Sequence, residues 1–557
     1  MPSRPGTRAW QRSSGRRSAR RFGRQLRAGL LHAGRAAGAG GVRRPLRAGL
    51  LVALAPLLVA ACTVGPSATP SLVVAGSPPP KPSSAGATGP VPLPGLERPG
   101  ANQLLWSDCG DETRQRLGTP APPANLTFQC TRLVGPEDPT DEEDGGGLRI
   151  SLLKVGSGPT PLLVVNDLDG LPGTLYAARL AATLPAQFLS TFSLIGMDRR
   201  GSAGSDGVHC VPQADRNAML EADPADTNLT ALLTATTDAS QQCVLQLSST
   251  MADLDTKNTV ADLELVRQTL GVNHLDAIGH GEGSRVLTTY ADQFPTHVGR
   301  FVLDGSPDPT LGTADTAQAQ AVGAEATFDA FARNCTNSSC PLGNNPTAAL
   351  TQLLTNLRGA PLNADGIQLT AGAALRAVLI GLTDPTQWTS LAADIQQALG
   401  GDGTGLAGLI APDLIGTAQD PPLIDADLVS GCNDVPDRLS PGQVSTDMKN
   451  WGSNQPLFGA LYAQNLLLCG PWPVPSQPLP KPTAPNTPPI LVISTASDPL
   501  TPEAGTQRTA QSLDSGVLVN WGGAGHGALG QSSCATSAAQ GFLIAGKVPA
   551  NGTACPP

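Results

Sequence analysis

Ile278-Gly279-His280-Gly281-Glu282-Gly283-Ser284 is the stretch on which the fold of this chain turns. It closes a short apolar run, 275–278, and opens a helical pattern, 285–294. An apolar run of that length, stopped by glycine and followed at once by a helix, reads as a buried strand turning sharply into a helix. Glycines alternate at 279, 281 and 283. They let the turn take backbone angles that side chains resist and let strand and helix approach closely.

The same alternation continues on both sides. Segments 148–155, 161–166, 192–197 and 300–303 read as strands, and 174–184 and 259–270 as helices. The second helix carries Val260, Leu263, Val266 and Leu270 at helical spacing. Strands alternating with helices predict an α/β class, with a mostly parallel central sheet covered on both faces. The rhythm stops near Pro309. From 311 to 485 the chain is rich in Ala, Leu, Gln and Asp, with helical periods and breaks such as Gly400-Gly401-Asp402-Gly403. Strand chemistry returns at 490–493 and 517–519. The expected organisation is a core in two parts, 101–310 and 486–557, interrupted by an inserted, mainly helical cap, 311–485.

The chain has 557 residues, 40% of them hydrophobic, enough for a sizeable core. Residues 1–61 hold thirteen Arg and no acidic residue, while the whole chain has 36 Lys+Arg and 45 Asp+Glu. Without that leader, 23 basic residues face 45 acidic ones, a formal charge of −22. Such a surface repels nucleic acid. The leader reads as an export signal of the lipoprotein type. Its apolar stretch, 48–61, is shorter than a membrane span and ends in Leu58-Val59-Ala60-Ala61-Cys62. Small residues before a cysteine resemble a bacterial lipobox, which predicts lipidation at Cys62 and anchoring to the outer face of the cell membrane. The following Pro-, Ser-, Ala- and Gly-rich segment, to about residue 100, reads as a disordered tether.

Ten cysteines remain: Cys109, Cys130, Cys210, Cys243, Cys335, Cys340, Cys432, Cys469, Cys534 and Cys555. An even number in an exported chain predicts disulfides. Pairing sequence neighbours gives five local loops, although spacing alone leaves connectivity open. No Cys-x-x-Cys occurs and the chain has six His, so neither a metal site nor a cofactor is expected.

Several segments, in order, resemble the tripeptidyl-aminopeptidase-like branch of exported actinobacterial α/β-hydrolases, relatives of prolyl aminopeptidases. They are Asp198-Arg199-Arg200-Gly201-Ser202-Ala203-Gly204-Ser205, Ala261-Asp262-Leu263, the 278–284 turn, Arg300-Phe301-Val302-Leu303-Asp304-Gly305, Cys432-Asn433-Asp434 and Cys469-Gly470-Pro471-Trp472-Pro473. Near the C-terminus, Ser497-Asp498-Pro499-Leu500-Thr501-Pro502 and Gly523-Ala524-Gly525-His526-Gly527 match the family's acid and histidine loops. The likeness spans roughly residues 100–557 and implies an α/β-hydrolase fold and hydrolysis of peptides from their N-terminus.

That chemistry needs a hydroxyl nucleophile, a histidine base, a carboxylate that orients it, and an oxyanion hole. Asp498 and His526 stand in the expected order. The elbow's nucleophile position, however, is Gly281, which has no atom to attack with. Ser284 lies a helical turn too far on, and Glu282 would need a different geometry. The oxyanion donors implied are the N–H of Glu282 and the loop at Asp167 and Leu168, where the family has a Gly-Gly-Pro-Gly-like turn and this chain has Asn166-Asp167-Leu168-Asp169-Gly170. Carboxylates there oppose developing negative charge unless they point away or bind a cation. Of the other histidines, His280 reads as scaffold, and His32, His209, His274 and His297 as bystanders. The expectation is an impaired hydrolase whose capped pocket binds a peptide or another small ligand, its acidic cap favouring an amine. The alternatives are an enzyme with a non-standard nucleophile and a structural envelope protein that binds a partner.

Overall fold

The computed structural model describes residues 91–557 apart from 101–103, 119–120, 141–146, 418 and 476–477. The leader, Cys62 and the tether as far as residue 90 lie outside the described residues. Residues 94–100 are fastened to the body. Arg300 donates to the Pro94 carbonyl at 3.1 Å, the Glu97 carboxylate accepts from the Asn273 N–H at 2.6 Å, and the Gly100 N–H donates to the Leu270 carbonyl at 3.1 Å.

Twelve strands are present among the described residues: β1 (Ser107–Asp108), β2 (Phe128–Pro136), β3 (Gly147–Val155), β4 (Thr160–Val165), β5 (Phe192–Met197), β6 (Leu275–His280), β7 (Val298–Asp304), β8 (Leu362–Ala364), β9 (Ile367–Leu369), β10 (Ile490–Ser497), β11 (Gly516–Ala524) and β12 (Thr553–Cys555). Ten of them form one sheet in the order β1-β2-β3-β5-β4-β6-β7-β10-β11-β12. Pairing is antiparallel from β1 to β5 and parallel from there to β12. Every residue of β4, β6 and β7 is buried, because helices cover both faces of a parallel sheet and leave no polar side to the strand. Each Leu, Ile or Val so buried contributes about 1.5–3 kcal/mol. β1, β2 and β12 are additions to the reading from sequence; β2 is partly exposed along its length, so its apolar pattern is weak.

The elbow is set by β6 and the helix Glu282–Gln293. A Cβ at Gly283 would stand 2.1 Å from the Val165 carbonyl oxygen, so only glycine lets this helix start against β4. The preceding helix, Thr256–Leu270, is capped by the Asp255 carboxylate, which accepts from the Asn258 N–H, and is ended by Gly271 in the left-handed conformation.

Among the described residues, eight α-helices, from Thr313–Thr336 to Gly459–Asn465, lie between β7 and β10 together with the β8–β9 hairpin. They share a hydrophobic cluster with Met219, Leu232 and Ala239, which belong to the helices Gln213–Glu221 and Thr230–Leu247. The cap therefore draws on two parts of the chain, the smaller inserted after β5. Asp425 joins them: its buried carboxylate accepts from the N–H groups of Cys210 and Val211 and pairs with Arg216.

Among the described residues five disulfides are formed, Cys109–Cys130, Cys210–Cys243, Cys335–Cys340, Cys432–Cys469 and Cys534–Cys555. All join sequence neighbours. Among the described residues no helix is long and apolar enough to cross a membrane.

Candidate active site

Asp498 follows β10 and His526 follows β11, so parallel pairing of these strands brings the two residues to the same edge of the sheet. His526 Nδ1 lies 3.0 and 3.1 Å from the two carboxylate oxygens of Asp498. Asp498 is itself held by the N–H groups of Leu500 and Thr501 and by the Thr501 hydroxyl, at 2.8–2.9 Å. The backbone N–H of His526 donates to the Thr383 carbonyl of the cap at 2.7 Å, so the histidine loop is positioned from both sides. This is the geometry that an orienting acid and a base take in a hydrolase.

Gly281 occupies the elbow centre with φ +53 and ψ −123, immediately before the helix Glu282–Gln293. The space its missing side chain leaves is filled. A Cβ built on Gly281 would meet Asp167 Oδ1 at 2.0 Å and Oδ2 at 2.4 Å. Asp167 comes from the loop after β4 and turns into the elbow. Its Oδ1 accepts the Glu282 N–H at 2.6 Å, and its Oδ2 lies 3.1 Å from His526 Nε2. One carboxylate thus engages both the His526 ring and the backbone N–H that follows Gly281.

The electrostatics follow from this sandwich. Burial opposes charge on His526, but Asp498 and Asp167 on its two nitrogens hold its pKa well above the ordinary histidine value. Burial likewise opposes ionisation of Asp167, yet the charges of His526 and His280 and the hydrogen bonds bring it down to about 2. Asp498 is also lowered, against burial, by His526 and its N–H donors. The two carboxylates on its nitrogens therefore favour the charged imidazolium form of His526. An imidazolium cannot accept a proton from a nucleophile.

The other residues singled out from sequence separate clearly. Ser284 is fully buried, and its hydroxyl donates to the carbonyls of Gly279 at 3.0 Å and Gly305 at 2.5 Å; it fastens the elbow and faces no open site. The Glu282 side chain pairs with Arg285 at 3.2 Å. Leu168 and Asp167 line a cavity shared with Arg199, Ser202 and the cap residues Pro422 and Ala426. His280 stacks on Tyr176, with ring centroids 4.8 Å apart, and its ring lies 4.3 Å from that of His526. His274 and His297 lie elsewhere, paired with Glu97 and Glu264.

Sequence reading missed the acids that the cap brings over this site. Asp427, on the helix Leu423–Asp434, feels the charges of Asp169, Asp413 and Glu282, and burial together with these neighbours raises its pKa well above the usual carboxylate range. Asp413 is pushed up to about 7 by burial and by Asp169, with Arg376 opposing. Asp169 and Asp427 are exposed to solvent, so with Asp413 and Glu282 they form an acidic cluster that water reaches. The Asp425-Ala426-Asp427 pair is visible in the sequence, but nothing in it indicates that Asp425 turns to Arg216 and Asp427 to the acidic cluster.

Residues 455–555 match the model of the family described as TAP-like protein. The chain is 28% identical over 462 residues to the serine protease Hip1 of Mycobacterium tuberculosis, covering 76% of this chain and 87% of the relative. It is 27% identical over 526 residues to carboxylesterase B of the same species, covering 87% and 96%. It is 24% identical over 480 residues to the tripeptidyl aminopeptidase of Streptomyces lividans, covering 81% and 86%. The resemblance to tripeptidyl-aminopeptidase-like α/β-hydrolases thus extends over most of the body, and the sheet and elbow are those of that fold.

Proposed function

We propose that this chain is an envelope-anchored member of the TAP-like hydrolase group in which serine hydrolysis is silenced and the acidic cluster binds an amine-bearing peptide or small molecule. The observation that carries this reading is the Asp167 carboxylate standing where a serine side chain would be, with His526 Nε2 and the Glu282 N–H both engaged by it. A peptide carbonyl entering this site meets a carboxylate in place of an oxyanion hole, and no hydroxyl activated by the base.

The ligand chemistry follows from the cluster. Asp427 of the cap feels the charges of Asp169 after β4, Glu282 of the elbow helix and Asp413 of the cap, with Arg199 and Arg376 opposing and Arg285 paired with Glu282. A cluster of that sign attracts a primary amine. Ionisation of Asp413 adds negative charge as pH climbs through about 7, so affinity for a lysine-bearing tripeptide is expected to rise over that interval. Calorimetry across it, with Asp427→Asn as the comparison, checks this. Flat affinity, or an unaffected variant, removes the cluster from the proposal. Silence is checked in parallel: the purified protein should turn over neither aminoacyl nor ester reporters. Turnover that disappears in both His526→Ala and Asp167→Ala would instead make Asp167 an acting nucleophile.

Anchoring rests on Leu58 to Cys62. The mature chain is expected to begin at an acylated Cys62 and to partition with membranes, and Cys62→Ala should abolish both. Mass spectrometry showing an unmodified N-terminus elsewhere would sink this part of the proposal. Acylation adds about 0.8 kcal/mol of membrane affinity per buried methylene.

A further inference from the structure

His280 is oddly placed for a scaffold residue. It is 8% exposed, and its Nδ1 makes no hydrogen bond. The nearest carboxylate to Nδ1 is Asp304 Oδ2 at 3.5 Å, and Nε2 points toward Asp167 Oδ2 at 3.8 Å, beyond hydrogen-bond reach. A buried imidazole without partners costs stability. Its surroundings repeat those of His526, which has Asp498 behind Nδ1 and Asp167 Oδ2 in front of Nε2 at 3.1 Å. Two histidines, each backed by a carboxylate, aim their Nε2 atoms at one shared carboxylate oxygen.

We infer that Asp167, His280 and His526 form a binding site for a divalent transition-metal ion. One atom from each of the three lies within 4.8 Å of the others. Ligands about 2.0–2.1 Å from a tetrahedral zinc stand roughly 3.4 Å apart, so small side-chain shifts suffice. Two imidazoles and one carboxylate suit a borderline-soft ion such as zinc and not calcium or magnesium, which take oxygen ligands. Carboxylates behind the Nδ1 atoms are the outer-shell arrangement that orients ligating histidines. On binding, the proton of His526 Nε2 leaves to solvent; the lone pairs of both Nε2 atoms and one Asp167 oxygen form the three bonds to the metal. A fourth position remains for water or a ligand atom. The residues come from the end of β6 and from the loops after β4 and β11, and none belongs to a cysteine motif, so spacing along the chain offered no sign of the site.

The test is Zn2+ binding to the disulfide-intact protein by calorimetry, with Co2+ as a spectroscopic stand-in. One ion per chain is expected, with visible Co2+ ligand-field bands. His280→Gln and Asp167→Asn should each weaken binding by at least about 10-fold, while a His274→Gln/His297→Gln variant, which removes the two remote histidine–carboxylate pairs, should bind as the parent does. Circular dichroism confirms that each variant is folded. Should His280→Gln misfold, the Co2+ bands of the parent carry the test: loss of those bands in Asp167→Asn supports the site. Binding that survives in both ligand variants, or that is lost in the remote-pair variant, overturns it. Peptide turnover appearing only with Zn2+ would overturn the silent reading and leave the metal site standing. Failure to bind Zn2+ would do the reverse.

Discussion

Fluorophosphonate labelling is expected in the double variant Gly281→Ser/Asp167→Gly and not in Gly281→Ser alone. The single substitution places a Cβ 2.0 Å from Asp167 Oδ1, so the carboxylate must be displaced or the elbow deformed, an overpacking of about 1–3 kcal/mol. If the new hydroxyl is accommodated, His526 Nε2 still faces Asp167, which favours its charged form and competes with the hydroxyl for it. Removing Asp167 frees three things together: the space beside Gly281, the Glu282 N–H and His526 Nε2. One recovered oxyanion donor is worth about 10²–10³ in rate, so the double variant should label at least about 10²-fold faster than the single one. Adding His526→Ala should abolish the gain. Equal labelling of the single and double variants would show that Asp167 is not what silences the elbow. The effect is a difference between variants of one fold, so intact-protein mass spectrometry of the adduct reads it directly.

Arg200→Ala is expected to produce the largest loss of stability among single substitutions at the Asp198-Arg199-Arg200-Gly201 turn. The Arg200 side chain is fully buried, with bidentate bonds of 2.9 Å to both oxygens of an Asp262 that is 1% exposed. It also donates to the carbonyls of Glu137 at 2.8 Å and Asp253 at 3.0 Å. One guanidinium thereby ties the turn after β5 to the end of β2 and to the helix before the elbow. Truncation leaves a buried carboxylate with no cation and takes one donor each from the Glu137 and Asp253 carbonyls, a cost of about 3–5 kcal/mol. Arg200→Met with Asp262→Leu removes both charges and should recover most of that loss. Denaturant unfolding with the disulfides intact measures both variants. A loss below about 1 kcal/mol for Arg200→Ala, the range of an exposed pair, would contradict the buried, bidentate arrangement.

The core of the sheet was legible because its signals are local. The apolar run at β4 is continuous, and those at β6 and β7 are broken only at Asp276 and Arg300 before their C-terminal ends, since both faces are covered, and the elbow's glycines are demanded by a strand and a helix that adjoin in sequence. The Asp498 and His526 loops could be read for the same reason: each follows a strand, and their order along the chain matches the resemblance. The helices inserted after β5 were not read as part of a cap. Their burial depends on partners some 200 residues away, such as Asp425 on Arg216, and no local pattern records it.

The site divides along the same line. From the sequence alone it followed that glycine stands at the centre of the turn and that Asp167 and Asp169 lie in the loop after β4, because these are statements about which residue stands at which position. Only the tertiary structure decided what the carboxylates do. Asp167 and Gly281 are far apart in the chain, and whether an aspartate in a loop points to solvent or into an elbow depends on the donors it meets there. The Glu282 N–H and the His526 ring supply those donors, and neither meets Asp167 until the sheet has brought β4, β6 and β11 into one layer. Residue types set the chemistry available to this chain; the packing of its strands determined that a carboxylate, in place of a hydroxyl, faces the histidine.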